Sequence, residues 1–203
     1  MNVDAAYRDL SDDVAAINAL LGGRTIALVG LMGAGKSAIG RKVALKLKLP
    51  FVDADTEIEV AAKMPVADIF ESYGELEFRR LEASVIKRLM EEGTKLLATG
   101  GGAFMNADTR DVIHSSGISV WMSAELDLLM SRVAKKSTRP LLKNSDPRGV
   151  MAGLMKMRYP IYALANLEVA SQDIGKDEMA AIVISHIADY LRQEAERNGA
   201  NND

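Results

Sequence analysis

The apolar, β-branched run TIALV (25–29) leads straight into GLMGAGKS (30–37), and this junction restricts the possible folds more than any other stretch. The spacing is G-x-x-x-x-G-K-[ST], with Gly30, Gly35, Lys36 and Ser37 at its defining positions. A run without polar alternation suits a strand buried on both faces of a parallel sheet. Ile39, Val43 and Leu47 then recur at helical spacing ahead of Pro50, so the glycines connect a strand to a helix. A loop free of bulky side chains lets successive backbone N–H groups face phosphate oxygens, and the following helix adds its free N–H groups and the positive end of its dipole. Lys36 supplies a full charge for the outer phosphates, and Ser37 supplies a hydroxyl for Mg²⁺. With both flanks correct, the loop is expected to hold a nucleoside triphosphate.

The strand–helix alternation continues along the chain. FVDAD (51–55), KLLATGGG (95–102), ISVWMS (118–123) and LEVAS (167–171) read as strands, and helical patterns fill the intervals. The expected fold is a three-layer α/β/α domain with a five-stranded, mostly parallel sheet. Residues 1–23 are expected to carry an accessory helix, SDDVAAINALL (11–21), capped by Ser11 and stopped by Gly22 and Gly23. Residues 24–197 form the main domain, and 198–203 a frayed polar tail.

Composition excludes several classes of function. The 203 residues are 48% hydrophobic and 26% charged, with a net charge of −3, so no basic field for nonspecific nucleic-acid binding is expected. The absence of cysteine removes disulfides, thiolate zinc sites and cysteine nucleophiles. Only His114 and His186 are available, which leaves no multi-histidine metal centre. The opening MNVDAAYRDL does not have the pattern of a signal peptide. No apolar run reaches the roughly 20 residues of a membrane span. The expectation is a cytoplasmic protein without membrane or nucleic-acid partners.

Ligands of open α/β sheets bind beyond the carboxyl ends of the strands. Asp53 and Asp55 flank Ala54 at one such end. If that segment is extended, both carboxylates face one cleft. One would serve Mg²⁺ through water and the other would accept a proton from a substrate hydroxyl; the alternative is two acids capping the next helix. Gly100, Gly101 and Gly102 end another strand, where ordering three glycines is costly unless backbone must approach a ligand closely. Arg79, Arg80, Arg139 and Arg158 lie in EFRRLE, TRPLL and MRYPIY. A fixed guanidinium fork suits a carboxylate or phosphate, provided several converge. Met151, Met155, Met157 and Trp121 are read as core.

These stretches together resemble the shikimate kinase family, within the P-loop group that also contains the nucleoside-monophosphate kinases. The matching segments are GLMGAGKSAIG (30–40), DAD (53–55), DIFESYGELEFRRLE (68–82), ATGGG (98–102), TRPLL (138–142) and RYPIY (158–162), in the family's order. The resemblance implies ATP-dependent phosphorylation of the 3-hydroxyl of shikimate, giving shikimate 3-phosphate and ADP on the route to chorismate and the aromatic amino acids. By matching position, Asp55 would hold ring hydroxyls and act as base. Arg79 and Arg158 would clamp the substrate carboxylate, and Glu82 would orient Arg79. Gly100, Gly101 and Gly102 would lie against the ring, with Phe70 and Phe78 as an apolar wall. Gly33, Ala34, Gly35, Lys36, Ser37 and Ala38 would wrap the nucleotide phosphates. Lys36 and Arg139 would stabilise the transferring phosphoryl, and Arg132 would stack on adenine. Mg²⁺ would sit on Ser37 directly and on Asp53 through water. Residues 137–149 would form a lid delivering Arg139. A monomer is the expected state.

Two departures are visible. Ala38 stands where the family usually has threonine, so a phosphate contact is expected to be lost while the Ser37 hydroxyl remains. Relatives often place a second adenine-contacting arginine after the last strand, where this chain has Gln172 and Asp173. The rival readings are another small-molecule kinase of this fold, for gluconate or a nucleotide, and a catalytically silent ATP-sensing module.

Overall fold

The computed structural model describes residues 10–135 and 145–200. Arg139, most of the expected lid at 137–149, residues 1–9 and residues 201–203 lie outside the described residues. Five strands, β1 (Thr25–Val29), β2 (Phe51–Asp53), β3 (Leu96–Ala98), β4 (Gly117–Ser123) and β5 (Leu167–Ala170), form one sheet in the order β2-β3-β1-β4-β5. All four pairings are parallel. β1, β3 and β4 are buried at every residue, which accounts for their mostly apolar character.

Eight helices surround the sheet among the described residues: α1 (Ser11–Leu20), α2 (Lys36–Leu47), α3 (Ala54–Ala62), α4 (Val66–Glu91), α5 (Ala107–Ser116), α6 (Leu126–Ala134), α7 (Pro147–Tyr162) and α8 (Lys176–Ala200). α1, α2 and α8 pack on one another, while α4 packs on α3 and α5. The resulting core includes Leu28, Val43, Ile86, Leu97, Val120, Ile184 and Ile187, all at or near zero exposure.

Several local expectations are corrected. Leu10, not Ser11, occupies the N-cap of α1, and its side chain makes no capping hydrogen bond. The helix is not an appendage: Ile17 and Leu21 belong to the common core, and buried Asp13 pairs with Arg192 of α8 at 2.9 Å. α4 breaks at Gly74 (φ 77, ψ 175), a conformation glycine adopts without the Cβ penalty. α8 continues to Ala200, three residues into the stretch expected to fray. Met151 is fully buried and Met155 packs against the core, but Met157 is 68% exposed on the outer side of α7.

Register positions the site. Leu28, Ala98 and Asp53 stand level on adjacent strands, so the segments leaving β1, β3 and β2 emerge side by side. The amide of Thr99 and its Oγ1 both donate to the Leu28 carbonyl, at 3.1 and 3.0 Å. These bonds hold the start of the glycine segment against the end of β1.

Candidate active site

Gly35 turns the chain into α2 with φ 101 and serves as its N-cap without any side-chain cap. Gly35 offers the first-turn N–H groups of α2 no side-chain acceptor, which suits an anion there. The nearly buried Lys36 donates from Nζ to the carbonyls of Gly30 (2.7 Å) and Leu31 (3.0 Å), arching over the loop it follows. Arg132 of α6 fastens the loop from the other side. Its Nη1 reaches the carbonyls of Gly33 (3.4 Å) and Ala34 (3.5 Å) and the Ser171 hydroxyl (2.8 Å), and its Nη2 donates to the Gln172 carbonyl at 2.6 Å. A cavity of about 490 Å³ runs from Asp55, Gly100 and Gly101, past Lys36, Ser37 and Ala38, to Arg132 and Ile174.

Asp53 and Asp55 both line this cavity, but by a different route from the extended segment expected. Asp53 ends β2 and caps α3, accepting the Asp55 amide at 3.2 Å, while Asp55 already lies in the first helical turn. The other oxygen of Asp53 accepts the Ser37 hydroxyl at 2.6 Å. Capping and site lining are thus compatible. Among the described residues there is no cluster of three or more acidic or histidine side chains that could cage a metal. The hydroxyl–carboxylate pair of Ser37 and Asp53 instead fits a hard cation held largely by phosphate and water oxygens.

The glycine segment is required by the protein's own side chains. A Cβ at Gly100 would stand 2.6 Å from Glu82 Oε1 and 2.9 Å from Asp55 Oδ1, and one at Gly102 would stand 2.5 Å from Arg79 Cζ. Two acids and a guanidinium therefore crowd onto backbone that carries no side chain.

Arg79, from α4, and Arg158, from α7, converge on this segment. Arg158 Nη1 donates to the Gly101 carbonyl at 3.0 Å. Arg79 Nη1 donates to Glu82 Oε2 at 2.7 Å, and its Nε and Nη2 lie 3.4 and 3.2 Å from Glu75 Oε1. Burial works against the Arg79 charge, yet hydrogen bonds and attraction from Glu82 and Glu75 hold its pKa above the ordinary value. Burial pushes the Glu82 carboxyl above the usual range and Asp55 adds to this, while Arg79 and Arg158 oppose it. A raised acid inside an ion pair means that burial outweighs pairing for Glu82. Glu82 Oε1 is buried and without a hydrogen-bond partner among the described residues.

Phe70 and Phe78 meet with ring centroids 4.3 Å apart, and Arg79 lies 5.1 Å above the Phe78 ring. Phe78 is buried and Phe70 is partly exposed, so Phe78 supports Arg79 from below; neither ring is among the residues lining the 490 Å³ cavity. Arg80 points elsewhere, pairing with Glu77 at the surface. Sequence reasoning assigned no role to Tyr162, whose hydroxyl donates to the same Gly101 carbonyl as Arg158. Their i,i+4 spacing on one helix was the available signal. Ser171 and the Gln172 carbonyl, which anchor Arg132, carry no comparable signature.

Comparison with known proteins identifies the family to which this fold and sequence correspond. Residues 32–189 match the family described as Shikimate kinase. The shikimate kinase of Brucella canis is 58% identical over 178 residues, covering 88% of this chain and 89% of the relative. That of Mesorhizobium japonicum is 56% identical over 180 residues, with 89% of each chain covered. Among solved structures, shikimate kinase from Acinetobacter baumannii in complex with shikimate superposes with a TM-score of 0.79 at 33% identity, over 85% of this chain and 97% of that one. Because that family match spans most of the chain and relatives at 56–58% identity cover nearly nine-tenths of it, the chain belongs to the shikimate kinase family.

Proposed function

We propose that this protein transfers the γ-phosphoryl group of ATP to the 3-hydroxyl of shikimate, giving shikimate 3-phosphate and ADP. The observation that carries the reading is the convergence of Arg79 and Arg158 on Gly101 and Gly102, next to Asp55 and at one end of the cavity that the phosphate loop lines. Two guanidinium groups suit a single carboxylate, and an acidic oxygen beside them suits a hydroxyl on the same ring.

In this reading Arg79 and Arg158 hold the substrate carboxylate and Gly100–Gly102 lie against the ring. Asp55 takes the proton from the 3-hydroxyl as that oxygen bonds to the γ-phosphorus and the bond to the ADP oxygen breaks. Lys36 exchanges its loop carbonyls for phosphate oxygens, and the N–H groups of α2 neutralise charge without moving. Arg132 keeps the loop closed around the phosphates and faces the base. Ser37 and Asp53 would hold Mg²⁺, which supplies countercharge to the phosphates when bound. Arg139 would add a guanidinium to the transferring group. No covalent intermediate is required, which suits a chain without cysteine. The same proposal places the enzyme in the cytoplasm as a monomer; among the described residues no helix is long and apolar enough to cross a membrane.

A coupled ADP-release assay with shikimate, gluconate and AMP tests the reading. Turnover with shikimate and neither of the others is expected. Preferential turnover of gluconate or AMP would replace it with one of the rival kinases.

A further inference from the structure

Two carboxylates hold Arg79, and they differ in kind. Glu82 is 3% exposed and takes Nη1 at 2.7 Å. Glu75 is 68% exposed and sits one turn before Arg79, immediately after the backbone break at Gly74. Its Oε1 lies between Nε and Nη2, at 3.4 and 3.2 Å. That edge presents two parallel N–H groups, the face on which arginine grips a carboxylate ligand from the side.

The Glu82 bond, together with the Phe78 ring beneath the guanidinium, already fixes where Arg79 points. The longer, exposed contact from Glu75 is not needed for that purpose. What it does is fill ligand-binding hydrogen-bond capacity with a charge of the ligand's own type.

Resting on the shikimate reading above, we propose that Glu75 is a built-in surrogate for the substrate carboxylate, occupying the outer edge of Arg79 until the incoming acid displaces it. A solvent-exposed ion pair is weak, so the substrate loses little affinity by replacing it. A neutral polyol of similar shape carries no charge to exchange for the one it would displace, and is disfavoured. Glu75 is therefore a specificity-determining residue that acts through Arg79, and touches neither the nucleotide nor the reacting hydroxyl.

The test compares Glu75→Gln with Glu77→Gln. Both remove one negative charge from the same stretch of α4, but Glu77 pairs with Arg80 at the surface. Steady-state kinetics are measured with shikimate at saturating ATP. Because the competent state of Arg79 would no longer be shared with Glu75, Glu75→Gln is expected to lower KM for shikimate by about 1.5- to 5-fold without a matching change in kcat. Glu77→Gln is expected to leave KM where it was. An unchanged or raised KM in Glu75→Gln overturns the proposal, a rise meaning that Glu75 props Arg79 for the substrate. An equal fall in both variants also overturns it, in favour of a general charge effect. Wild-type protein in the same assay keeps the two claims apart: without shikimate turnover the functional reading fails and this inference with it, whereas turnover with an unaltered KM in Glu75→Gln removes this inference alone.

Discussion

Arg158 and Tyr162, one helical turn apart on α7, both donate to the carbonyl oxygen of Gly101. This shared acceptor ties α7 to the end of β3, across a gap of 57 residues in the chain for Arg158. It also spends only part of the Arg158 fork, leaving further N–H groups for a ligand.

The two arginines should separate on truncation. Charge-assisted hydrogen bonds are worth about 1.5–3 kcal/mol, so Arg158→Ala should raise KM for shikimate about 10- to 100-fold, with little effect on KM for ATP. Arg79→Ala should do the same and also lose about 1–3 kcal/mol of stability, because buried Glu82 is left without its partner. Steady-state kinetics and denaturant unfolding of both variants check this; equal stability losses would contradict it.

Asp55 and Arg139 should act on the chemical step. On the proposed mechanism, Asp55→Asn would remove the proton acceptor and Arg139→Ala one guanidinium from the transferring group. Each should cost about 10²-fold or more in kcat while ATP binding is largely kept. Single-turnover kinetics alongside nucleotide titration distinguish the two effects. Wild-type-like turnover in both would withdraw the catalytic roles.

The glycine segment should tolerate no side chain where Gly153 does. At Gly100 an added methyl meets Glu82 and Asp55 oxygens, whereas at Gly153, inside α7, it meets nothing within 4 Å. Gly100→Ala should lower kcat/KM at least about tenfold by displacing Asp55, since small misplacements of positioned groups cost that much or more. Gly153→Ala should be kinetically silent and stabilise the fold by about 0.5–1 kcal/mol. Paired kinetics and melting curves test both.

Tyr162 should show itself at alkaline pH. Burial pushes its pKa up from 10 to about 12, with smaller opposing effects from Arg158. A folded value above the unfolded one means the phenol's contribution is complete below pH 10 and is lost as the pH rises to about 12. Over that window wild type should lose about 2–3 kcal/mol that Tyr162→Phe does not lose. At neutral pH the variant should instead be less stable by about 1 kcal/mol, from the missing bond to Gly101. Denaturant unfolding between pH 8 and 12 reads the difference, which should shrink and then reverse. A constant gap would place the Tyr162 hydroxyl in contact with water.

The phosphate loop was legible because everything that defines it lies within a dozen residues: the buried strand, the glycines that permit φ 101 at Gly35, and the uncapped helix start. The alternation of five strands with helices was legible for the same reason, since periodicity is local. Asp55 shows where that logic stops. Its spacing from Asp53 suited a strand, but the Asp53 side chain caps a helix there and Asp55 reaches the cavity from the first turn.

The sequence alone therefore determined the elements, the loop and the set of residue types that chemistry would need. Only the tertiary structure decided that β3 lies between β1 and β2, that Glu82 and Arg79 crowd against glycine backbone, and that α7 brings Arg158 and Tyr162 to one carbonyl. The reason is physical. Backbone dihedrals and hydrogen bonds within a turn are fixed by neighbours in the chain, whereas strand order and helix docking are settled by which apolar faces bury each other across the whole molecule.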